Sequence, residues 1–423
     1  MKTLKRKNNQ YPIHHMINGS NIYLYYLPNK TIYASAMITG AKYKEDKYTC
    51  GISHLLEHVL TNTYKKCNYI KCAPYLQNLG VNYNASTSNN YIQYYVTGLS
   101  EDKYKILNYL IDIINYPIIK KENVEFEKKA VKSELLGYIN NKYYELKEEF
   151  AKKYYKNSAI VYSQNYRQQL KNLSKISEKE LKEWYKNNYN NITYFIIGDF
   201  NRSNILGYFR SNFPVKNPRQ ISISPQSIFS FKNEILFIKN NKQKLVYFLL
   251  AFPLKIEFSN PKFPYLKILC SILQKLLFLE LRTNLHLIYE LGVTCSINLT
   301  SISINININV SIEKAGLVIG VLFKMIEELK KHKLREEELI GYKKKFRYAN
   351  NNSILNNTNG NIFSIYNEQI FFKSLDSNYK IRNINDYNKI IDGVNSKLFL
   401  DFMRDYFNLK TVFIAYQSPI QIL

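Results

Sequence analysis

The sequence has few cysteines and no long apolar run. Its five cysteines in 423 residues form an odd and sparse set, unlike the dense, even sets of secreted disulfide scaffolds. The N-terminal residues are basic but lack an apolar stretch behind them, and no run of 18 apolar residues occurs anywhere. These absences predict a soluble, cytoplasmic protein without a signal peptide or a membrane span, and they leave an organellar or viral setting open.

Zinc-finger spacing and dense basic blocks are also missing. Cys67 and Cys72 lack a second Cys or His pair at finger spacing, so they are expected to be buried or free thiols. The chain carries 59 Lys+Arg against 33 Asp+Glu, a net charge of +26. Its lysines are spread along the chain together with many Asn, Ile and Tyr residues, as adenine- and thymine-rich codons would give. No specific nucleic-acid partner is therefore predicted, although a nonspecific affinity for polyanions remains open.

The apolar content is ample for a folded protein. Hydrophobic residues make up 46% of the chain, aromatic residues 15% and charged residues 22%. This composition excludes a wholly disordered chain. Because domains usually contain about 100 to 200 residues, a chain of this length is expected to form two or more cores.

The first half of the sequence reads as strands, then helices, then a closing strand. The predicted elements are a hairpin at 21–39, a helix beginning after Gly51, a strand pair at 81–98, a helix at 101–115, a long charged helical stretch at 123–155 and a buried strand at 192–200. The segment 213–227 lacks periodicity and contains three prolines, so it is the predicted linker.

The second half repeats this order. Its clearest element is the strand at 301–312, in which Ile and Val alternate with Ser and Asn. A helix at 313–331 and a last strand near the C-terminus follow. The sequence thus predicts an α+β fold of two related domains, at 1–212 and 228–423.

Two of the six histidines occur in the segment HLLEH. On a helix, His54 and His58 share one face with an axial rise of about 6 Å, so both imidazoles can reach one ion, with Glu57 beside them. This is the inverted zinc-protease pattern H-x-x-E-H. The alternative is a helix that carries two surface histidines by chance.

A catalytic zinc site needs a third protein ligand, and the long helical stretch offers Glu127 and Glu134. They lie on one helix face about 10 Å apart along its axis, too far to hold one ion together. One is expected to be the ligand and the other a supporting carboxylate. Spacing alone leaves their assignment open.

These motifs resemble the pitrilysin/insulinase family of zinc metallopeptidases, including the mitochondrial processing peptidases. Glu134 follows His58 by 76 positions, in the segment FEKKAVKSEL, which is similar to the family's ligand helix. The resemblance implies that Glu134 is the third ligand of one Zn²⁺ per chain and that Glu127 is the supporting carboxylate. It also implies two α/β-sandwich domains, each with an antiparallel-rich sheet packed with helices, the first being the catalytic zinc-binding domain.

The resemblance includes substrate contacts. LGVNYNASTSNNYIQYYV is similar to the family's Asn-Ala-x-Thr edge strand, where Asn84 and Ala85 would pair with a substrate backbone. LELRTNLHLIYELGVTCSI is similar to the segment whose Arg and Tyr approach the scissile bond, here Arg282 and Tyr289. The segment after His58 lacks the Gly-Thr that the family often has, and the last 75 or so residues carry no motif.

The resulting hypothesis is a zinc-dependent endopeptidase with Glu57 as general base, Glu127 near the water or the amine, and Tyr289 as donor to the oxyanion. It would hydrolyse peptides or small unfolded proteins in an enclosed chamber, and processing of one dedicated precursor is left open beside general peptide clearance. The chain corresponds to one half of such a chamber, so a homodimer or a heterodimer with a related chain is expected. The alternative is a noncatalytic family member that serves as a binding or structural subunit.

Overall fold

The computed structural model describes residues 11–64, 72–156, 159–215, 233–299, 301–355 and 359–423. The chain divides into two compact units. The first contains Met1–Asn140, Asn165–Ser222 and Ile354–Asn383, and the second contains Asn141–Gln164, Ile223–Ser353 and Ile384–Leu423. Each unit consists of one mainly antiparallel sheet packed with helices, which confirms the predicted α+β fold of two domains.

The first unit contains a six-stranded sheet and the helices that cover it. Its strands are β1 (Ile13–Ile17), β2 (Ser20–Tyr26), β3 (Thr31–Thr39), β4 (Asn82–Thr87), β5 (Tyr91–Leu99) and β6 (Ile192–Gly198). Its helices are α1 (Ile52–Thr61), α2 (Cys72–Asn78), α3 (Lys103–Asn115), α4 (Lys121–Ile139), α7 (Tyr166–Leu173), α8 (Glu178–Asn188), α9 (Arg202–Asn212) and α13 (Asn359–Leu375).

The strand order in this sheet is β1-β2-β6-β3-β5-β4. The antiparallel pair β4 and β5 was predicted, and Asn84 lies opposite Tyr95 in its register. The predicted hairpin at 21–39 is wrong, because β6 lies between β2 and β3, parallel to the former and antiparallel to the latter. The predicted buried strand at 192–200 is confirmed as β6, but local sequence could not reveal its place between β2 and β3.

Helices cover both faces of this sheet. Ala34 and Ala36 of β3 face the core that α1 and α3 close, with Leu55 and Leu56 fully buried. Tyr33, on the opposite face, stacks on Phe363 of α13 with ring centroids 4.5 Å apart. The sheet is thus covered on one face by helices near its own strands and on the other by a helix from far along the chain.

The second unit contains a five-stranded sheet. Its strands are β7 (Glu234–Lys239), β8 (Leu245–Leu254), β9 (Glu290–Asn298), β10 (Ser301–Ser311) and β11 (Phe413–Ser418). Its helices are α5 (Tyr144–Tyr154), α6 (Ala159–Gln164), α10 (Leu266–Phe278), which continues as a π-helical turn at Leu279–Asn284, α11 (Ala315–Leu329), α12 (Glu336–Leu355), α14 (Ile384–Gly393) and α15 (Ser396–Tyr406).

The two sheets share one topology. In the order β7-β11-β8-β10-β9, the last strand of the unit lies beside the first and parallel to it, and every other pair is antiparallel. The segment β2-β6-β3-β5-β4 of the first sheet has the same pattern. This agreement confirms that the two domains are related, although their sequences show no residue-level repeat.

Each unit includes a helical segment from the other half of the sequence. The helical stretch predicted at 123–155 is interrupted after α4, and its second part, α5, packs Phe150 against Phe413 of β11 in the second unit. Conversely, α13 belongs to the first unit. Helical periodicity does not reveal which sheet a helix covers, so this exchange was not predicted.

Several predictions concern residues that are not described. The linker at 213–227 lies mostly within the gap at 216–232, so it stays a prediction, as does Cys67 as a free thiol. Cys50, Cys270 and Cys295 are free thiols. Among the helices in the described ranges, none combines the length and the apolar character that a membrane crossing requires.

Candidate metal centre

Helix α1 has a fixed start. Gly51 precedes it with φ of 95°, and a Cβ on Gly51 would lie 3.2 Å from Cβ of Gln169. The buried carboxylate of Glu45 accepts hydrogen bonds from the backbone N–H groups of Gly51 at 3.0 Å and Ser53 at 2.9 Å. These N–H groups have no partner within the helix, so Glu45 acts as its N-terminal cap. The cap holds the turn that carries the first histidine.

The helix brings His54 and His58 to one face, opposite Glu134 of α4. His54 Nε2 lies 3.2 Å from Oε2 of Glu134, and His58 Nε2 lies 3.6 Å from Oε1. One donor atom from each of the three residues lies within 4.8 Å of the others. Two imidazole nitrogens and one carboxylate oxygen are donors that zinc accepts, and three protein ligands leave a fourth position open. This side-chain set therefore fits a catalytic zinc ion.

Glu127 lies one heptad earlier on α4, against the far side of one imidazole. Its Oε2 is 3.1 Å from Nδ1 of His58, and its Oε1 accepts a hydrogen bond from Nδ2 of Asn62 at 2.8 Å. A proton on Nδ1 leaves the Nε2 lone pair of His58 free for a metal. Glu127 is 3% exposed and is not among the residues that line the cleft. These contacts favour orientation of His58 over direct contact with a water or an amine.

Mutual attraction dominates the electrostatics of the ligand set. Burial lowers the pKa of His58, but the hydrogen bond to Glu127 and the charges of Glu57 and Glu134 outweigh it, so that the pKa is raised. The hydrogen bond from His54, with further help from His58, lowers the pKa of Glu134. Both histidines thus favour the ionised form of Glu134.

Glu57 lies beside the histidines on α1 and is 7% exposed. Thr87, at the end of β4, donates a hydrogen bond from its Oγ1 to Oε2 of Glu57 at 3.0 Å. Burial raises the pKa of Glu57, while His54 and His58 oppose the shift. One carboxylate oxygen is thus fixed by Thr87, and a poorly hydrated carboxylate at this position suits proton transfer.

The three candidate metal ligands and Glu57 border a cleft of about 620 Å³. One wall is β4, which pairs only with β5 within the described part of the chain and so forms an edge of the sheet. Asn84 and Ala85 both line the cleft, and Oδ1 of Asn84 accepts a hydrogen bond from the N–H of Ala85 at 2.8 Å. Tyr138 and Tyr166 line it as well, with ring centroids 4.9 Å apart. The predicted substrate strand therefore lies beside the candidate metal ligands.

The other two predicted residues belong to the second unit. Arg282 lies in the π-helical turn after α10, and its Nη1 donates a hydrogen bond to the carbonyl of Ile288 at 2.8 Å. Tyr289 immediately precedes β9 and is 59% exposed. The guanidinium of Arg282 thus holds the loop that leads to Tyr289, and the Tyr289 side chain is exposed to solvent within this unit.

Three supporting residues were not assigned from the sequence. Thr87 is the threonine of the Asn-Ala-x-Thr segment, so the motif itself contained its signal. Glu45 and Asn62 flank α1. Only the folded chain shows that Glu45 accepts hydrogen bonds from the first N–H groups of the helix and that Asn62 donates one to Glu127. Polar residues near a helix end are common, and their partners cannot be read from spacing.

Known proteins share both the sequence patterns and the fold. Residues 27–163 match Insulinase (Peptidase family M16), and residues 175–346 match the Peptidase M16 inactive domain. The HLLEH motif, Glu127 and Glu134 all lie within the first match. An uncharacterized zinc protease of Rickettsia felis is 29% identical over 145 residues, which are 34% of this chain and 35% of that relative.

Solved structures match nearly the whole chain. The peptidase M16 inactive domain from Pseudomonas fluorescens has a TM-score of 0.81 at 14% identity, covering 97% of this chain and 98% of that one. The periplasmic protease PqqL from Escherichia coli has a TM-score of 0.77 at 15% identity, covering 98% of this chain but 48% of that one. These likenesses concern the fold, and the chain spans about half of the latter protease. From the two adjoining sequence matches and this fold, the chain belongs to the insulinase family of peptidases, M16, and corresponds to a single half.

Proposed function

We propose that this chain is a zinc-dependent endopeptidase that hydrolyses peptides or small unfolded proteins. One observation carries the proposal: the donor atoms of His54, His58 and Glu134 lie within 4.8 Å of one another, with the Glu57 carboxylate beside them in an open cleft. The pattern H-x-x-E-H and the family membership support the same chemistry.

The proposed cofactor is one Zn²⁺ per chain, held by His54, His58 and Glu134. A zinc ion in such a site polarises the scissile carbonyl and lowers the pKa of a water molecule. Glu57 takes up the proton of the attacking water and transfers it to the nitrogen of the leaving amine. The hydrogen bond from Thr87 holds Glu57 in position and leaves its second oxygen for the water.

Glu127 is proposed as a positioning residue. The sequence-based hypothesis placed it near the water or the amine, whereas its contacts lie with His58 and Asn62. A carboxylate behind a ligating histidine fixes the imidazole orientation and increases the basicity of the ligating nitrogen. Its proposed contribution is therefore to zinc affinity.

The substrate is proposed to add as a strand along β4, with Asn84 and Ala85 as backbone partners. The N–H of Ala85 is bonded to the Asn84 side chain, so a substrate carbonyl would have to replace that bond. Arg282 and Tyr289 stay predicted substrate contacts, on the family resemblance. The same resemblance supports an enclosed chamber and a homodimer or heterodimer with a related chain, and the E. coli protease, about twice this chain in length, is consistent with a second half. The cytoplasmic location and a dedicated precursor stay predictions.

A noncatalytic subunit is the second candidate. The match of residues 175–346 to the Peptidase M16 inactive domain favours it. That match excludes the HLLEH segment and α4, where every position of the zinc-protease pattern is filled. We therefore rank catalysis first.

Hydrolysis of a quenched-fluorescent peptide library by the zinc-loaded protein tests the proposal. Glu57→Gln should abolish cleavage while zinc stays bound, because it removes the proton acceptor and retains the ligands. Glu125→Gln is the matched control, since Glu125 is an exposed residue on α4 that pairs with Lys128. Zinc binding without cleavage by the unaltered chain, alone and with a related second chain, would favour the noncatalytic subunit.

A further inference from the structure

The cleft contains a lysine that the proposed mechanism does not use. Lys42 begins a short 3₁₀ turn between β3 and α1, where its backbone carbonyl accepts a hydrogen bond from the N–H of Glu45 at 3.1 Å. Its side chain is partly buried and lines the cleft together with His54, Glu57 and Glu134. The turn is tied to the helix cap through Glu45, so the position of Lys42 is fixed relative to α1.

The Lys42 ammonium forms no hydrogen bond or ion pair within 4.0 Å with any other residue that the structure describes. Its neighbouring carboxylates have other partners. Glu45 accepts from the first N–H groups of α1, and Glu57 accepts from Thr87. Burial lowers the pKa of Lys42, and the charges of Glu45 and Glu57 oppose the shift. A cation with reduced hydration and no close counter-ion gains from an anionic ligand.

The other charged groups lining the cleft have tasks in the proposed reaction. His54, His58 and Glu134 are the proposed ligands, and Glu57 is the proposed base. The remaining lining residues are neutral, so Lys42 is the one basic side chain besides the two histidines that a bound peptide would meet among the described lining residues. A carboxylate is the peptide group that complements an ammonium.

We propose that Lys42 binds a carboxylate of the substrate, either an Asp or Glu side chain close to the scissile bond or the C-terminal carboxylate of a short peptide. This makes Lys42 a specificity-determining residue and acidic peptides the preferred substrate class. The inference rests on the proposed function because it calls the bound peptide a substrate. The binding event itself needs no hydrolysis.

A binding experiment separates the two proposals. Zinc-loaded Glu57→Gln protein, which is expected not to cleave, is titrated into short fluorescein-labelled Ala/Ser peptides, and affinity is read as fluorescence anisotropy. One pair of amidated peptides differs by a single central Glu or Gln. A second pair, both with Gln, differs in a free or an amidated C-terminus. We expect about tenfold tighter binding of the carboxylate peptide in one of these pairs, which identifies the source of the carboxylate.

The same titration with Lys42→Met in the Glu57→Gln background should reduce that preference to about one, and Lys42→Arg should retain it. Lys47→Met is the matched control, because Lys47 is exposed on the same loop and does not line the cleft. It should leave the preference unchanged. Zinc content and circular dichroism verify that each variant is folded.

The absence of a preference for the carboxylate peptide would overturn the inference. A preference that survives Lys42→Met would also overturn it, because it would then arise from the net charge of the chain as a whole. Cleavage by the unaltered protein without a carboxylate preference would refute this inference alone. A Lys42-dependent preference without cleavage by the unaltered chain, alone and with a related second chain, would refute the peptidase and leave the carboxylate site in place.

Discussion

The imidazole of His58 lies between two carboxylates, with Nδ1 3.1 Å from Glu127 and Nε2 3.6 Å from Glu134. One carboxylate can therefore orient the ring while the other is the proposed second ligand of the same zinc ion. This relationship makes the two glutamates of α4 experimentally distinguishable, although they lie on one helix face.

Glu127→Ala is expected to weaken zinc binding about 10- to 100-fold, because His58 loses the partner that fixes its ring. Zinc affinity is measured by competition with a chromophoric chelator, and Glu125→Ala provides an exposed control on the same helix. Unchanged zinc affinity with a reduced kcat would instead place Glu127 in the reaction, as the sequence-based hypothesis had it.

His54→Ala, His58→Ala and Glu134→Gln should each lower the zinc content well below one ion per chain. Each change leaves two protein ligands, too few for the three that a catalytic site uses. Atomic absorption after dialysis measures the content, and His332→Ala is the control because His332 is exposed outside the site. Full zinc content in Glu134→Gln would exclude Glu134 as a ligand.

Removal of the metal by a chelator should abolish peptide cleavage, and added zinc should restore it. The reason is that Glu57, the proposed general base, acts on a water molecule whose pKa the zinc ion is proposed to lower. Initial rates before chelation, after it and after zinc addition provide the measurement. Cleavage that persists in verified zinc-free protein would contradict the assigned chemistry.

Gly51→Ala should lower the free energy of unfolding by about 1 to 3 kcal/mol, because alanine at φ of 95° is strained and its Cβ would crowd Gln169. Gly137→Ala is a control of opposite sign. Gly137 lies within α4 with open space around it, so alanine should stabilise the protein by roughly 0.5 to 1 kcal/mol. Urea unfolding measures both, and equal effects would contradict the role of the left-handed backbone.

Glu45→Ala should lower the free energy of unfolding by about 2 kcal/mol, since it leaves the buried N–H groups of Gly51 and Ser53 without their acceptor. It should also weaken zinc binding, because the frayed turn carries His54. Urea unfolding and zinc titration test the two effects separately. A loss of stability with unchanged zinc affinity would show that the cap does not help to hold the ligand.

The sequence predicted those parts of the fold that depend on local pattern. The segment in which Ile alternates with Ser and Asn forms β10, as predicted, and α1 begins directly after Gly51, as predicted. The hairpin at 21–39 failed because strand pairing in a sheet minimises the exposure of the whole core, and β6 lies 150 or more residues beyond β3. Periodicity also could not assign α5 and α13 to their units.

The site was predictable where a motif fixes both residue type and spacing. His54, Glu57 and His58 share a helix, so their proximity follows from helical geometry. Glu134 required the family resemblance, since the sequence alone could not choose between it and Glu127. Lys42 and Glu45 carried no recognisable pattern, because their roles come from one loop folding back on the start of α1.

The placement of α13 also constrains how the protein is made. The first unit has its six described strands and seven of its described helices once residue 222 is synthesised, but the helix that stacks on Tyr33 ends at residue 375, within a segment of the unit that ends at residue 383. At typical rates of translation, roughly 10 to 30 s separate these points. One aromatic face of the newly made sheet is then exposed on the ribosome. We expect chains arrested before residue 354 to be protease-sensitive and to bind a chaperone, whereas chains arrested well beyond residue 383 should resist digestion.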